Sequence, residues 1–205
     1  DGEVDVDQEQ LSIKMDAANW YDYVRDAWLE HARDRRTIVF VPRVAMAYRL
    51  RDVMREAGIF ADALDGSTAL PVQRASIQSF EAGNTQMLVN CDLFVEGADI
   101  PSIDCVVLAK PTKSRIVKMQ SIGRGTRPSP ATGKRNLLVL DLVAAVQPGL
   151  CSAGDALGTK SLKQGEKLTQ AKKRETAETK EKQEQEAIQQ ELLREQMQSR
   201  KVDLF

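Results

Sequence analysis

The chain has 205 residues, 42% hydrophobic and 29% charged, and its 29 basic and 30 acidic side chains leave a net charge of −1. That length supports one sizeable core with an appendage, and the near-neutral balance excludes nucleic-acid binding by overall charge, so any such contact needs a local patch. Cys91, Cys105, Cys151 and the single His31 lack the spacing of metal ligands, which argues against a structural zinc site and suits a reducing, cytoplasmic compartment.

Residues 1–15 begin with DGEVDVDQEQ, five carboxylates and no base, and read as an acidic linker. The opening Asp1-Gly2 has neither an initiator methionine nor the basic-then-apolar pattern of a secretory signal, as expected of a domain or processed product. From Asp16 the spacing of Trp20, Tyr23, Val24, Ala27, Trp28 and His31 predicts a helix with core aromatics, capped by Asp16 or Asn19, and with His31 at the surface. Thr37 to Val41 is a β-branched apolar run, as in a buried parallel strand, closed by Pro42. Helical periodicity runs from Val44 to Ala57 and stops at Gly58. A strand at Phe60–Leu64, a turn at Asp65–Thr68, and a helix from about Pro71 to Ala82 follow. Further strands are predicted at Gln86–Asn90, Cys105–Ala109 and Asn136–Leu140, with a helix from about Lys113 to Ile122 before the last.

Such alternation predicts an α/β fold, a parallel sheet with helices on both faces, over residues 16–147. Ligands of such sheets gather at the carboxyl ends of the strands. Residues 148–205 differ. Lys160 to Lys201 carry 11 basic and 8 acidic residues, and pairs such as Glu178 and Lys182 support a helix. The segment reads either as a solvated helix or partly disordered tail, or as a helix docking a protein partner through Ile188, Leu192, Leu193 and Met197. No apolar run approaches the ~20 residues of a membrane span.

Two short segments carry the chemistry. Arg124 and Arg127, flanked by Gly123 and Gly125, set two guanidinium groups three residues apart, either to reach one polyphosphate or as a loop pair forming surface salt bridges. Glu96 and Asp99 bracket Gly97 in a small turn, as acid/base, metal or hydroxyl ligands or as simple turn formers.

With the order of the elements, these segments resemble the second, carboxyl-terminal RecA-like domain of superfamily-two helicases and translocases of the DEAD/DEAH type. Thr37 to Val44 resembles motif IV, and Val89 to Val107 motif V. Gln120 to Arg127 fits the Gln-x-x-Gly-Arg-x-x-Arg form of motif VI. The Glu-Gly-x-Asp-x-Pro version of motif V, followed by Pro111 to Ser114, is most similar to DNA-directed phage and bacterial members, including restriction-type motors. The resemblance implies a DNA helicase or translocase (RNA being the other substrate open to it), working in the cytoplasm of a bacterial or phage-infected cell. It implies ATP with Mg²⁺ as cofactors, held mainly by a missing amino-terminal RecA-like domain. Arg124 and Arg127 would be catalytic arginine-finger candidates, and Gln120, Glu96, Gly97 and Asp99 would serve the ATP site. Arg43, Gly66, Arg74, Asn90, Lys113 and Ser114 would meet nucleic acid, with Asn90 and Cys91 standing where many members carry threonine.

The sequence has no Gly-x-x-x-x-Gly-Lys-Ser/Thr phosphate loop. Gly133-Lys134 lacks its context, and Asp141 is followed by Leu142. The chain thus reads as half of an ATPase site, inactive alone. A non-catalytic nucleic-acid-binding or scaffolding module derived from a half-motor is the alternative reading. A small-molecule enzyme on a doubly wound sheet would need a glycine-rich opening turn or a nucleophile–base pair, and neither is present.

Overall fold

The computed structural model describes residues 13, 19–92, 100–142, 150–159 and 166–202. The chain divides into two compact units at Ala156–Leu157.

Among the described residues the first unit holds five strands: β1 Thr37–Phe40, β2 Ala61–Asp65, β3 Met87–Cys91, β4 Cys105–Leu108 and β5 Leu138–Asp141. They form one sheet in the order β2-β3-β1-β4-β5, and every neighbouring pair is parallel. Helices α1 Trp20–His31, α2 Val44–Glu56, α3 Leu70–Glu81 and α4 Arg115–Gly123 cover it. Every residue of β1, β3 and β4 is buried. Burial on both faces explains why these strands read as unbroken apolar runs rather than as alternation. Val39, Val89 and Val107 join Leu50 and Met54 of α2 and Trp28 of α1 in the main core. Ile38, Leu88 and Val106 are equally buried on the alternate strand positions.

Of the two expected caps of α1, Asn19 holds the position, in the left-handed region at φ 53 and without a side-chain capping bond. Tyr21 faces inward and Tyr23 does not, because Tyr21 shares a helix face with Val24 and Trp28 while Tyr23 is 55% exposed. The Tyr21 ring stands edge-on to Trp20 at 5.1 Å, under the Arg49 guanidinium. The Trp28 indole N–H donates to Thr37 Oγ1 at 2.7 Å, tying α1 to the start of β1. Past the C-cap Ala57 of α2 stands Gly58, whose φ of 78 is one that a β-carbon disfavours.

β2 is shifted by one residue from expectation, which leaves Phe60 69% exposed and places Asp65 inside the strand end. The Asp65 carboxylate accepts bonds from Ser67 Oγ at 2.5 Å, Ser67 N at 2.6 Å and Tyr48 Oη at 2.8 Å. The Ser67 hydroxyl bond, followed by that of Tyr48, holds this carboxyl below its ordinary pKa. A lowered folded pKa stabilises the fold above the unfolded value of about 3.9 and loses that contribution as pH falls through the folded value. Wild type should therefore exceed Asp65→Asn in stability by roughly 1–3 kcal/mol at neutral pH. The gap should shrink below about pH 4. Melting curves of both proteins between pH 7 and 2 check this, and a gap independent of pH would contradict it.

A short helix α5, Ala153–Leu157, closes the first unit, and in the second unit α6 runs from Leu168 to Val202 as one helix of 35 residues. Its side chains from 176 to 190 are exposed. Arg174 binds Glu166 with two bonds of 3.1 Å and reaches Glu178 at 3.2 Å, the charge pairing that supports a helix polar all round. Ile188 is exposed, and the side chains of Leu192, Leu193 and Met197 lie outside the described residues.

Candidate functional site

α4 is the element that builds the site. Ser114 caps it, its Oγ accepting from Val117 N at 3.4 Å. Ile122 and Lys118 lie four apart on its buried face. The Lys118 side chain is 1% exposed, and its Nζ donates to the Asp141 carboxylate at 2.9 Å and to the Cys151 carbonyl at 2.6 Å. Asp141 also accepts from Ala153 N at 2.7 Å. Sequence reasoning passed over Lys118; the available signal was a lysine in register with an inward isoleucine.

The opposite face of α4 carries Ile116, Met119 and Gln120, all exposed. Residues 116, 120, 123, 124 and 127 follow one another at helical spacing. Gln120, Gly123, Arg124 and Arg127 line a cavity of about 240 Å³, with Ile100 on its other side. Three predicted ATP-site residues (Gln120, Arg124 and Arg127) thus meet at one place. Glu96, Gly97 and Asp99 lie outside the described residues. α4 runs from the carboxyl end of β4 back toward the amino end of β5, so Gly125, just past its end, approaches Leu137 and Val106. A second cavity of about 450 Å³, with Glu30, Arg33, Arg35, Asp104 and Arg135 on its walls, holds none of the predicted site residues.

Gly125 is required for close approach. A β-carbon there would stand 2.3 Å from Leu137 Cδ1 and 3.1 Å from Val106 Cγ2, whereas one on Gly123 meets nothing within 4 Å. Gly125→Ala should cost about 1–3 kcal/mol through overpacking. Gly123→Ala should be neutral or stabilising by up to about 1 kcal/mol, because alanine is the better helix former. Urea denaturation of both variants checks the contrast, and equal stability would contradict the close packing at Gly125.

Several of the nucleic-acid candidates lie on loops that follow the carboxyl ends of the strands. In sheet order, the loops after β2, β3, β1 and β4 carry Gly66, Asp92, Arg43 and Lys113. Arg43, Gly66, Arg74 and Lys113 are exposed and Ser114 is half-buried. Asn90 corrects the expectation for it. It is fully buried, and its Nδ2 donates to the Val39 carbonyl at 3.0 Å, so the amide joins β3 to β1 rather than facing a surface. Lys110 bonds Asp92 and so links the loops after β4 and β3.

Residues 20–129, over half of the chain, match the family described as the helicase conserved C-terminal domain. This chain belongs to that family. The chain is 35% identical over 154 residues to a Saccharomyces cerevisiae protein named as a putative ATP-dependent helicase, IRC3, covering 74% of this chain and 22% of that protein. It is 30% identical over 187 residues to the ATP-dependent RNA helicase DRS1 of Eremothecium gossypii, covering 84% of this chain and 25% of that one. The chain therefore spans a quarter or less of the length of these relatives. Among solved structures, a fragment named as a putative HsdR subunit of a type I restriction enzyme from Vibrio vulnificus YJ016 superposes with a TM-score of 0.54 at 22% identity. That match covers 66% of this chain and 28% of the fragment. The fold is RecA-like, and the chain is a carboxyl-terminal domain of the superfamily-two helicase type.

Proposed function

We propose that this helicase domain is the second motor domain of an ATP-dependent helicase or translocase acting on nucleic acid, and on DNA in particular. The convergence of Gln120, Arg124 and Arg127 on one cavity, in a member of this family, is the observation that carries the reading. Two arginines, always charged and rich in planar donors, suit the oxygens of a polyphosphate, and Gln120 adds a neutral hydrogen-bonding group. Arg124 and Arg127 are assigned to the ATP phosphates, where an arginine stabilises the charge that develops during phosphoryl transfer. Among the described residues no three Asp, Glu, His or Cys side chains converge as metal ligands. Mg²⁺ is assigned to an amino-terminal RecA-like domain bearing the phosphate loop. Glu96, Gly97 and Asp99 are assigned to the same cleft by sequence alone.

Arg43, Gly66, Arg74, Lys113 and Ser114 form the proposed nucleic-acid edge. Contacts of this kind go mainly to phosphates, read little sequence and weaken with salt. Opening and closing of the cleft between the two motor domains would move that edge along the strand. The boundaries proposed are an acidic linker over 1–15, the motor domain over 16–147 and the charged helical segment over 148–205. A bacterial or phage-infected cytoplasm is the proposed setting. Among the described residues no helix is long and apolar enough to cross a membrane.

The test is ATP hydrolysis by the protein joining this domain to the first motor domain, with and without added DNA or RNA. The rate should rise with DNA, and the rise should fade with added salt. Stimulation by RNA alone would move the substrate assignment to RNA. Salt-sensitive binding of nucleic acid with no effect on the ATPase rate would overturn the motor reading and leave a binding module.

A further inference from the structure

An arginine that acts on a transferring phosphoryl group has to be held to within roughly 0.5 Å, and a loop has no ladder of hydrogen bonds to hold it. After α4 ends, short-range bonds carry the chain through Thr126: Gly125 N donates to Ile122 O at 3.0 Å and Thr126 N to Gly123 O at 3.2 Å. Arg127 is the next residue. The anchor there is Lys134. Its ammonium donates to the carbonyls of Arg127 at 2.6 Å, Gly125 at 2.7 Å and Pro101 at 3.2 Å. An ammonium has three hydrogens, and these three carbonyls match them one for one.

Of the three acceptors, Arg127 itself lines the 240 Å³ cavity, Gly125 lies between the lining residues Arg124 and Arg127, and Pro101 directly follows the lining residue Ile100. We infer that Lys134 is a positioning residue for ATP hydrolysis, clamping the arginine loop to the segment that follows Asp99 so that the cavity keeps its shape. This rests on the assignment of Arg124 and Arg127 to the ATP phosphates. Partial burial lowers the Lys134 pKa, with the charge of Asp104 opposing the shift. An ammonium shed of part of its water bonds carbonyls more strongly than a hydrated one. The same clamp explains Gly133-Lys134, which looks like the end of a phosphate loop in the sequence: with its three donors engaged by the backbone, Lys134 points at no phosphate.

The test uses Lys134→Met, Lys134→Arg and Arg127→Ala. Amide exchange by mass spectrometry is read on this chain, and ATP hydrolysis on the protein that joins it to the first motor domain. Lys134→Met should speed exchange over residues 123–128 and leave β1, β3 and β4 as protected as in wild type. It should lower kcat by about 10²-fold, the scale of a 1 Å misplacement, with KM little changed. Lys134→Arg should recover part of both effects. Unchanged exchange at 123–128, or faster exchange across the whole sheet with no recovery by arginine, would overturn the inference even if Arg127→Ala abolishes hydrolysis. If Arg127→Ala leaves hydrolysis intact, the assignment of the arginines fails, and with it the catalytic part of the inference; the exchange data then still decide whether Lys134 holds the loop.

Discussion

Replacing Arg127 with alanine is expected to lower kcat for ATP hydrolysis by the joined motor domains about 10³–10⁵-fold, the range seen when an arginine finger is removed. The size of the effect follows from the chemistry. In a cleft closed by the proposed first motor domain, charge building on the transferring phosphoryl oxygens would meet a fixed guanidinium at low effective dielectric. Arg127→Lys should restore little, because a point-like ammonium cannot reproduce the planar fork. Arg127 is exposed on the cavity rim and Arg124 is half-buried at the end of α4. Substitution of Arg127 should therefore leave stability within about 0.5 kcal/mol. Comparing the two alanine variants assigns the roles. Loss of kcat at constant KM marks contact made in the transition state, and a rise in KM alone marks ground-state binding. If neither variant lowers kcat by more than a few-fold, the cavity is not the ATP site.

Lys118→Met should damage the fold more than replacement of any exposed lysine or arginine of the sheet unit. The side chain is 1% exposed, and its loss would take the cation away from Asp141, itself 14% exposed, and the donor away from the Cys151 carbonyl. Breaking a buried pair by removing one partner costs roughly 3–5 kcal/mol. The Ala153 amide still bonds Asp141, which puts the expected loss near the lower end. Adding Asp141→Asn to Lys118→Met should recover part of it, because the remaining partner no longer carries a charge; a double-mutant cycle in urea measures that coupling. A loss under about 1 kcal/mol for the single variant would show that the pair behaves as a solvated surface contact.

Much of the fold was legible because burial on both faces leaves β1, β3 and β4 with almost no polar position to interrupt the pattern. Helix stops were legible where chain chemistry forces them, as at Gly58. Phase errors arose where two readings of one segment differ by a residue or two. Tyr21 and Tyr23 both fit a loose helical pattern, and only packing against Trp20 chooses between them. The arginine pair was legible as a motif, and the structure adds that Gln120 shares its cavity. The two lysine clamps were not legible. Lys118 meets residues 23 and 33 positions away, and Lys134 one 33 away. Such pairings exist only once α4 lies on the sheet, and no local pattern announces them. Asn90 misled because its position along the chain fits a nucleic-acid contact, while strand register turns the amide into the sheet.

The most direct measurement is ATP turnover by this chain alone, then with the first motor domain supplied, in wild type and in Arg127→Ala. The expected result is no turnover by the chain alone, turnover on adding the first domain, and its loss in Arg127→Ala. Turnover by the isolated chain that disappears in Arg127→Ala would contradict the half-site reading, because the whole ATP site would then lie within these 205 residues.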